Sequence, residues 1–230
     1  FRRGAGSANA GRVADIADIE RTAFTTRDGR QLGGYRLRAA APNGYLLVAQ
    51  GNATLADQIV GELRYFRDLG FDVYLYDYRG YGLSEGNSRL GAIVADYREL
   101  AASLNAQPYR RRLLYGMSMG GVILLNAVAA TDDYTALVVD SSPSRISRYG
   151  CPKIYDPVRQ LPPDSSRIMI IGGERDRVVP IAQVEELMRI AQSRGAQVLR
   201  HPDLAHPFMD ATADLHQSRF RAVADFLARR

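Results

Sequence analysis

Short apolar runs alternate in this chain with longer stretches in which apolar residues recur every three or four positions. The runs, such as 45–50, suit strands that are covered on both faces. The periodic stretches, such as 55–69, suit helices with one buried face. This alternation predicts the α/β fold class, with a mostly parallel central sheet and helices on both of its faces.

The predicted elements begin with a hairpin, because residues 19–26 and 31–39 flank the turn dipeptide Asp28-Gly29. Gly70 ends the first predicted helix. The further strands are predicted at 45–50, 71–78, 112–116, 135–140, 167–172 and 196–200, and the helices at 55–69, 90–106, 118–130, 180–194 and 212–229.

The length of 230 residues is enough for one sizeable core. We expect a single domain over residues 15–230, preceded by a flexible lead-in over residues 1–14 that is rich in Gly, Ala, Ser and Asn. The proline-rich segment 141–166 predicts a short irregular connection. Because the chain starts at Phe1 rather than Met, we expect a trimmed or processed N-terminus.

The net charge of +5 comes almost entirely from arginine, since Lys153 is the only lysine. The one run of arginines, 110–112, lies just before an apolar strand, which favours a solvated strand entrance over a nucleic-acid patch. Cys151 is the only cysteine, which excludes an internal disulfide and a cysteine metal cluster. No apolar run approaches the roughly 20 residues that span a bilayer. The compartment stays open between cytoplasm and periplasm.

A candidate nucleophile lies in Gly116-Met117-Ser118-Met119-Gly120, which has the pattern G-x-S-x-G. An apolar strand precedes the pattern and an apolar helix follows it, and this context gives the pattern its meaning. The chemistry needs a serine on a sharp turn, with glycines where strand and helix approach each other. A serine that only caps a helix is the alternative, but strand, spacing and helix together favour Ser118 as the nucleophile.

A serine nucleophile needs an adjacent base, and the chain offers three histidines. The order Ser…Asp…His, with the histidine in the loop after the last strand, favours His206. His201 directly follows that strand and is the alternative base. His216 falls in the final predicted helix, where we expect a partly exposed side chain.

The acid that orients the histidine is expected in the loop after the apolar strand Ile168–Ile171. Asp176 is favoured in this loop, where Glu174 also suits a solvated charge. Asp140, at the end of the preceding strand, is the alternative acid.

An acyl transfer also needs two N–H donors for the developing oxyanion. The amide of Met119, directly after the nucleophile, is expected to be one donor. The amide of Asn52, in the loop Gln50-Gly51-Asn52-Ala53 after an early strand, is expected to be the other.

These segments, together with the loop Asp77–Gly86, resemble the α/β-hydrolase superfamily over about residues 20–230. The resemblance is greatest to the small serine hydrolases that include eukaryotic protein depalmitoylases and bacterial esterases. It implies that the loop Asp77–Gly86 supports the floor of the active site and lines its pocket.

The chain departs from that family in two places. Gln50 stands where the family usually has histidine, and we expect this change to be tolerated because glutamine also hydrogen-bonds backbone groups. Relatives often carry a cap where this chain has the segment 141–166, which is too short for a helical cap domain. The sequence therefore predicts an open site with a short or absent cap.

The sequence predicts a serine hydrolase that cleaves carboxylic esters or thioesters through an acyl-enzyme intermediate. A peptidase or amidase of the same fold stays an alternative, as does a degenerate hydrolase that acts as a binding protein. We expect no cofactor and no metal. The expected partner is a small-molecule or lipid acyl substrate and not a nucleic acid. An open site is compatible with peripheral membrane contact, and the oligomeric state stays open.

Overall fold

The structure is a computed structural model that describes residues 6–128 and 131–229. The chain forms two compact units, Phe1–Leu113 and Leu114–Arg230. The organisation of residues 15–230 as a single domain stays a prediction. None of the described helices is long and apolar enough to cross a membrane.

The first unit contains four strands in the order β1-β2-β4-β3. Strands β1 and β2 form the predicted antiparallel hairpin, β2 pairs with β4 antiparallel, and β3 pairs with β4 parallel. These strands are β1 (Ile19–Thr25), β2 (Gln31–Leu37), β3 (Gly44–Ala49) and β4 (Phe71–Tyr76), and the helices are α1 (Ala56–Ile59), α2 (Arg64–Asp68) and α3 (Leu90–Asn105).

The helix predicted at 55–69 is wrong as a continuous element, because α1 and α2 are separate. Between them the amides of Glu62, Leu63 and Arg64 bond three residues back rather than four, which gives a tighter turn than the α-helix. Gly61 lies in this turn, and glycine weakens a helix interior. The apolar period still marks the buried face, which contains Ile59, Leu63 and Phe66.

Strand β5 (Arg111–Met117) crosses the boundary at Leu113, and the rest of the second unit alternates strand and helix. Strands β6, β7 and β8 pair in parallel in that order. Their loops therefore leave from the same edge of the sheet. The strands are β6 (Ala136–Asp140), β7 (Ile168–Gly173) and β8 (Gln197–His201), and the helices are α4 (Met119–Val128), α5 (Pro157–Gln160), α6 (Ile181–Ser193) and α7 (Ala213–Ala228). Residues 129–130 of the helix predicted at 118–130 lie outside the described residues.

The segment 141–166 contains only short helical turns: two 3₁₀ turns and the four-residue α5. Buried Asp156 holds the segment by accepting hydrogen bonds from the amide and the hydroxyl of Ser147, at 2.8 and 2.9 Å. Asn126 on α4 donates to the carbonyl of Tyr155 at 3.0 Å. The segment is thus anchored by side chains.

Part of the predicted lead-in makes contacts. Residues 1–5 lie outside the described residues, and Ala10–Arg12 form a 3₁₀ turn. The amide of Asn9 and the guanidinium of Arg12 both donate to the carboxylate of Asp57, at 2.5 and 3.1 Å. Residues 9–12 are therefore attached to α1.

Candidate active site

Ser118 lies at the junction of β5 and α4, with a backbone φ of +55°. A non-glycine residue reaches this left-handed region only when its surroundings hold it there. Here the amide of Ser118 donates to the carbonyl of Asp140 at 2.8 Å, and the hydroxyl of Ser142 donates to the carbonyl of Ser118 at 2.6 Å. The end of β6 and the loop after it therefore hold the turn that carries the candidate nucleophile.

The first glycine of the G-x-S-x-G pattern, Gly116, is needed because backbones approach closely at this turn. A Cβ atom on Gly116 would lie 2.6 Å from the carbonyl carbon of Gly120. Real Cβ atoms do not approach other atoms this closely, so any side chain at position 116 would push β5 away from α4.

Asp176 and His206 form a buried pair, with 2.8 Å between Asp176 Oδ2 and His206 Nδ1. The other carboxylate oxygen, Oδ1, accepts hydrogen bonds from the amides of Val178 and Val179, each at 2.8 Å. An ionised carboxylate only accepts hydrogen bonds, so the proton of a neutral His206 lies on Nδ1. The lone pair on Nε2 is then free to accept a proton from another group.

The surroundings of Asp176 favour its ionised form. Burial by itself would raise the pKa of this carboxyl group. The hydrogen bonds from His206 and from the amides of Val179 and Val178 outweigh burial, and the pKa of Asp176 is lowered from its ordinary value. The carboxylate is therefore charged at neutral pH, as a group that stabilises an imidazolium must be.

Main-chain hydrogen bonds join the loop that carries Asp176 to the loop that carries His206. The amide of Glu174 donates to the carbonyl of His201 at 3.0 Å, and the amide of Arg175 donates to the carbonyl of Leu204 at 3.1 Å. These backbone bonds hold the two loops side by side, which allows the side chains of the acid and the base to meet at 2.8 Å.

Ser118 lies in the same unit as this pair, and its side chain is nearly buried. Within the described residues, the structure brings His206 into hydrogen-bond contact with Asp176 but not with Ser118. Nucleophile–base contacts of this kind often tighten only when substrate is bound. The assignment of Ser118, Asp176 and His206 as a triad stays a prediction.

The alternative bases have other contacts. His201 accepts a hydrogen bond on Nδ1 from the amide of Asp203 at 3.1 Å, within its own turn. The ring of His216 packs against Phe208 and Phe220, with centroid separations of 5.2 and 4.4 Å. His216 is partly exposed on α7, as expected, although both of its ring nitrogens are buried.

The alternative acids also have other partners. Asp140 is fully buried and is paired with Arg219 at 2.7 Å, while its other oxygen accepts from the hydroxyl of Tyr115 at 2.9 Å. Glu174 is half exposed and is paired with Arg200 at 2.8 Å. Of these three carboxylates, Asp176 is the one that contacts a histidine in the loop after β8. This contact supports Asp176 over both alternatives.

The loop with the second predicted oxyanion donor belongs to the first unit and is held by side-chain bonds. Tyr81 donates to the side chain of Asn52 at 2.7 Å, and buried Gln50 donates from Nε2 to the carbonyl of Tyr76 at 3.0 Å. Ala53, directly after Asn52, has a backbone φ of +62°. Gln50 does bond to the backbone, as expected for its replacement of histidine. The roles of Asn52 and Met119 as oxyanion donors stay predictions.

Sequence reasoning missed Ser142 and Arg219, which both contact the residues around the candidate triad. Arg219 lies on the buried face of α7 with Phe220, Val223 and Leu227. A charged residue in such an apolar stripe is a signal that the sequence does contain, because a buried charge needs partners.

Replacing Asp176 with asparagine is expected to lower kcat by about 10⁴-fold. An asparagine NH₂ group turned toward Nδ1 favours the histidine tautomer that cannot accept a proton on Nε2. Steady-state hydrolysis of an activated ester measures the loss. The matched control is Glu174→Gln in the same loop, which we expect to stay within about twofold of the wild type because its partner is a surface arginine.

No group of three or more His, Cys, Asp or Glu side chains within residues 6–128 and 131–229 is arranged to hold a metal ion.

The family model described as serine aminopeptidase S33 matches residues 40–163, which are more than half of the chain. The chain belongs to this hydrolase family. The match includes Ser118, while Asp176 and His206 lie beyond it. The YfhR protein of Escherichia coli K12 is 25% identical to this S33-family chain over 93% of the chain and 82% of its own length.

Solved structures of hydrolases share the fold of this S33-family chain. The esterase Pf2001 of Pyrococcus furiosus gives a TM-score of 0.76 at 16% identity, over 97% of this chain and 96% of its own. XC6422 of Xanthomonas campestris, an α/β serine hydrolase without a lid, gives 0.71 at 21% identity, over 93% and 95%. The predicted α/β-hydrolase fold and superfamily are confirmed.

Proposed function

We propose that this α/β-hydrolase is a serine hydrolase that cleaves carboxylic esters or thioesters through an acyl-enzyme intermediate. The observation that carries the proposal is the buried Asp176–His206 pair at 2.8 Å, in the same unit as a serine held at a φ of +55°. A carboxylate that fixes the histidine tautomer and a strained serine at a strand–helix junction are the parts that acyl transfer needs.

In the proposed reaction, Nε2 of His206 takes the hydroxyl proton of Ser118 while Oγ attacks the acyl carbonyl carbon. The tetrahedral intermediate collapses, the bond to the alkoxide or thiolate breaks, and His206 returns the proton to this leaving group. Water, deprotonated by His206, then attacks the acyl carbon, the bond between this carbon and Ser118 Oγ breaks, and His206 returns the proton to Oγ as the carboxylic acid leaves. The amides of Met119 and Asn52 are the proposed donors to the oxyanion in both halves of the reaction.

The side chains beside the acid and the base support an apolar acyl group. Val178 is 50% exposed and donates its amide to Asp176, and Met209 is 63% exposed and donates its amide to the carbonyl of His206 at 2.8 Å. Exposed large apolar side chains next to functional groups favour an apolar ligand. We therefore expect acyl chains of several carbons to be hydrolysed faster than acetyl groups.

The direct test is covalent labelling by a fluorophosphonate, which reacts with activated serines. We expect rapid, stoichiometric labelling, and peptide mass spectrometry should place the label on Ser118. Labelling of no residue, or of another serine, contradicts the proposal. A protein that folds but does not label would instead support the degenerate hydrolase that only binds a partner.

A peptidase or amidase is the second candidate, and the description of the matching family as serine aminopeptidases favours it. The same triad cleaves esters, thioesters and amides, so fold and triad do not separate them. A panel of p-nitrophenyl esters, acyl-thioesters and aminoacyl amides, compared by kcat/KM, ranks the candidates. Higher kcat/KM for aminoacyl amides than for thioesters would favour the peptidase.

A further inference from the structure

The side chain of Arg219, on α7, is completely buried. Its guanidinium makes four hydrogen bonds to three residues. Nη1 donates to Asp140 Oδ1 at 2.7 Å, and Nη2 donates to the carbonyl of Ala205 at 2.6 Å. Nη2 and Nε donate to the two oxygens of Asp210, at 2.8 and 3.0 Å. All three guanidinium nitrogens are therefore engaged.

Two of these partners flank His206 within its loop. Ala205 directly precedes His206, and Asp210 follows it by four residues. Asp210 also accepts the amide of Ala205 at 2.9 Å, which closes the loop on itself. Arg219 thus bonds the backbone of the residue before His206 and the side chain of Asp210 after it, from a single rigid group.

The third partner leads to the nucleophile turn. The carboxylate of Asp140 accepts a hydrogen bond from Arg219 at 2.7 Å, and its backbone carbonyl accepts one from the amide of Ser118 at 2.8 Å. Only Asp140 and Arg219 therefore stand between the backbone of Ser118 and the backbone of Ala205. By this route Arg219 connects the turn that holds the serine to the loop that holds the histidine.

The buried charges of Arg219, Asp140 and Asp210 cost free energy that a purely structural role does not require. Burying one guanidinium with two carboxylates requires their desolvation, and apolar residues of similar volume often stabilise a fold as well or better. What an apolar residue cannot do is hold two loops at a fixed separation through directed bonds. The planar, forked guanidinium is suited to that task.

We propose that Arg219 is a positioning residue that fixes the separation between Ser118 and His206. This inference rests on the proposed function, because a fixed separation matters only if the two side chains exchange a proton. It does not require Arg219 to contact the substrate. Displacement of a catalytic group by about 1 Å can lower a rate by about 10²-fold.

The test compares the full-length wild type with Arg219→Met, Arg219→Lys and Asp210→Asn. Arg167→Met is the matched control, since Arg167 pairs with Asp132 and bonds the carbonyl of Tyr134 in the same unit, just before β7. For each protein kcat, KM, Tm and the initial rate of fluorophosphonate labelling are measured well below its Tm. The endpoint of labelling gives the concentration of competent serine, so unfolded protein does not count as lost activity.

We expect kcat per labelled serine to fall by about 10²-fold in Arg219→Met, with KM within about threefold of the wild type. In Arg219→Lys and Asp210→Asn, which each keep part of the network, we expect a fall of about tenfold. Labelling should slow in parallel with kcat. Arg167→Met should lower Tm and leave kcat within about twofold.

A lower Tm with unchanged kcat and labelling rate in the Arg219 and Asp210 variants would overturn the inference and leave a structural role. If Arg219→Met does not fold, Arg219→Lys and Asp210→Asn decide by the same measurements. If the wild type neither labels nor turns over any panel substrate, the proposed function itself fails. If the wild type is active and these variants match it, only the inference fails.

Discussion

Ser118→Ala is expected to reduce hydrolysis of every ester and thioester substrate by about 10⁶-fold. The substitution removes the oxygen that forms the acyl bond, and the remaining groups offer no other nucleophile at this turn. The proposed oxyanion donors and substrate binding should keep the remaining rate above that of the uncatalysed reaction. The measurement is kcat/KM for the best ester, with the fluorophosphonate label as a second readout.

The loss in Ser118→Ala should be chemical and not a result of misfolding. Alanine and serine carry the same Cβ, so both meet the same strain at a φ of +55°. The bonds that hold the turn use the backbone amide and carbonyl of position 118, and alanine keeps both. We therefore expect a Tm within a few degrees of the wild type.

Ser193→Ala is a suitable control, because Ser193 is an exposed residue at the end of α6. Its hydroxyl donates only to the carbonyl of Ile190 in the same helix, at 2.8 Å. We expect kcat/KM and labelling to be unchanged. Substantial turnover by Ser118→Ala, beyond that of a blank reaction, would exclude Ser118 as the nucleophile.

The elements of the fold could be predicted from the sequence because periodicity and turn residues are local signals. The antiparallel hairpin and the apolar strands such as Ile168–Gly173 lie where these signals place them. The break between α1 and α2 could not be predicted in the same way. The apolar period continues through Gly61, and only the backbone hydrogen bonds show the tighter turn.

The candidate site could be predicted as far as its chemistry is tied to local patterns. The glycine-bounded serine and the acidic loop after a buried strand are such patterns, and Asp176 does contact His206. The contact of Arg219 with Asp140 could not be predicted in this way, since the two residues are 79 positions apart in sequence. Contacts of this range depend on the whole packing of the unit, so a single sequence shows only that a charge lies on an apolar face.

His206→Ala is expected to lower kcat about as much as Ser118→Ala, by about 10⁶-fold, because base and nucleophile act as one unit. Without the imidazole, the hydroxyl of Ser118 keeps its proton at neutral pH and is a weak nucleophile. Asp176 cannot replace the base, since its oxygens are directed to position 206 and to the amides of Val178 and Val179.

His201→Ala is the matched control, because His201 is the alternative base and lies only five residues earlier. Its Nδ1 bonds to the amide of Asp203, so its loss should disturb a turn and change kcat by less than about fivefold. A large loss in His201→Ala together with an active His206→Ala would reverse the assignment of the base.

The double variant Ser118→Ala/His206→Ala gives the sharpest check on His206. If the histidine acts only by deprotonating Ser118, its removal from Ser118→Ala costs nothing further, and the double variant retains the rate of the single one. An additional loss of tenfold or more in the double variant would show that His206 does separate work, such as holding the substrate. Equal rates in all three variants would instead show that His206 acts through Ser118, by accepting the proton of its hydroxyl group.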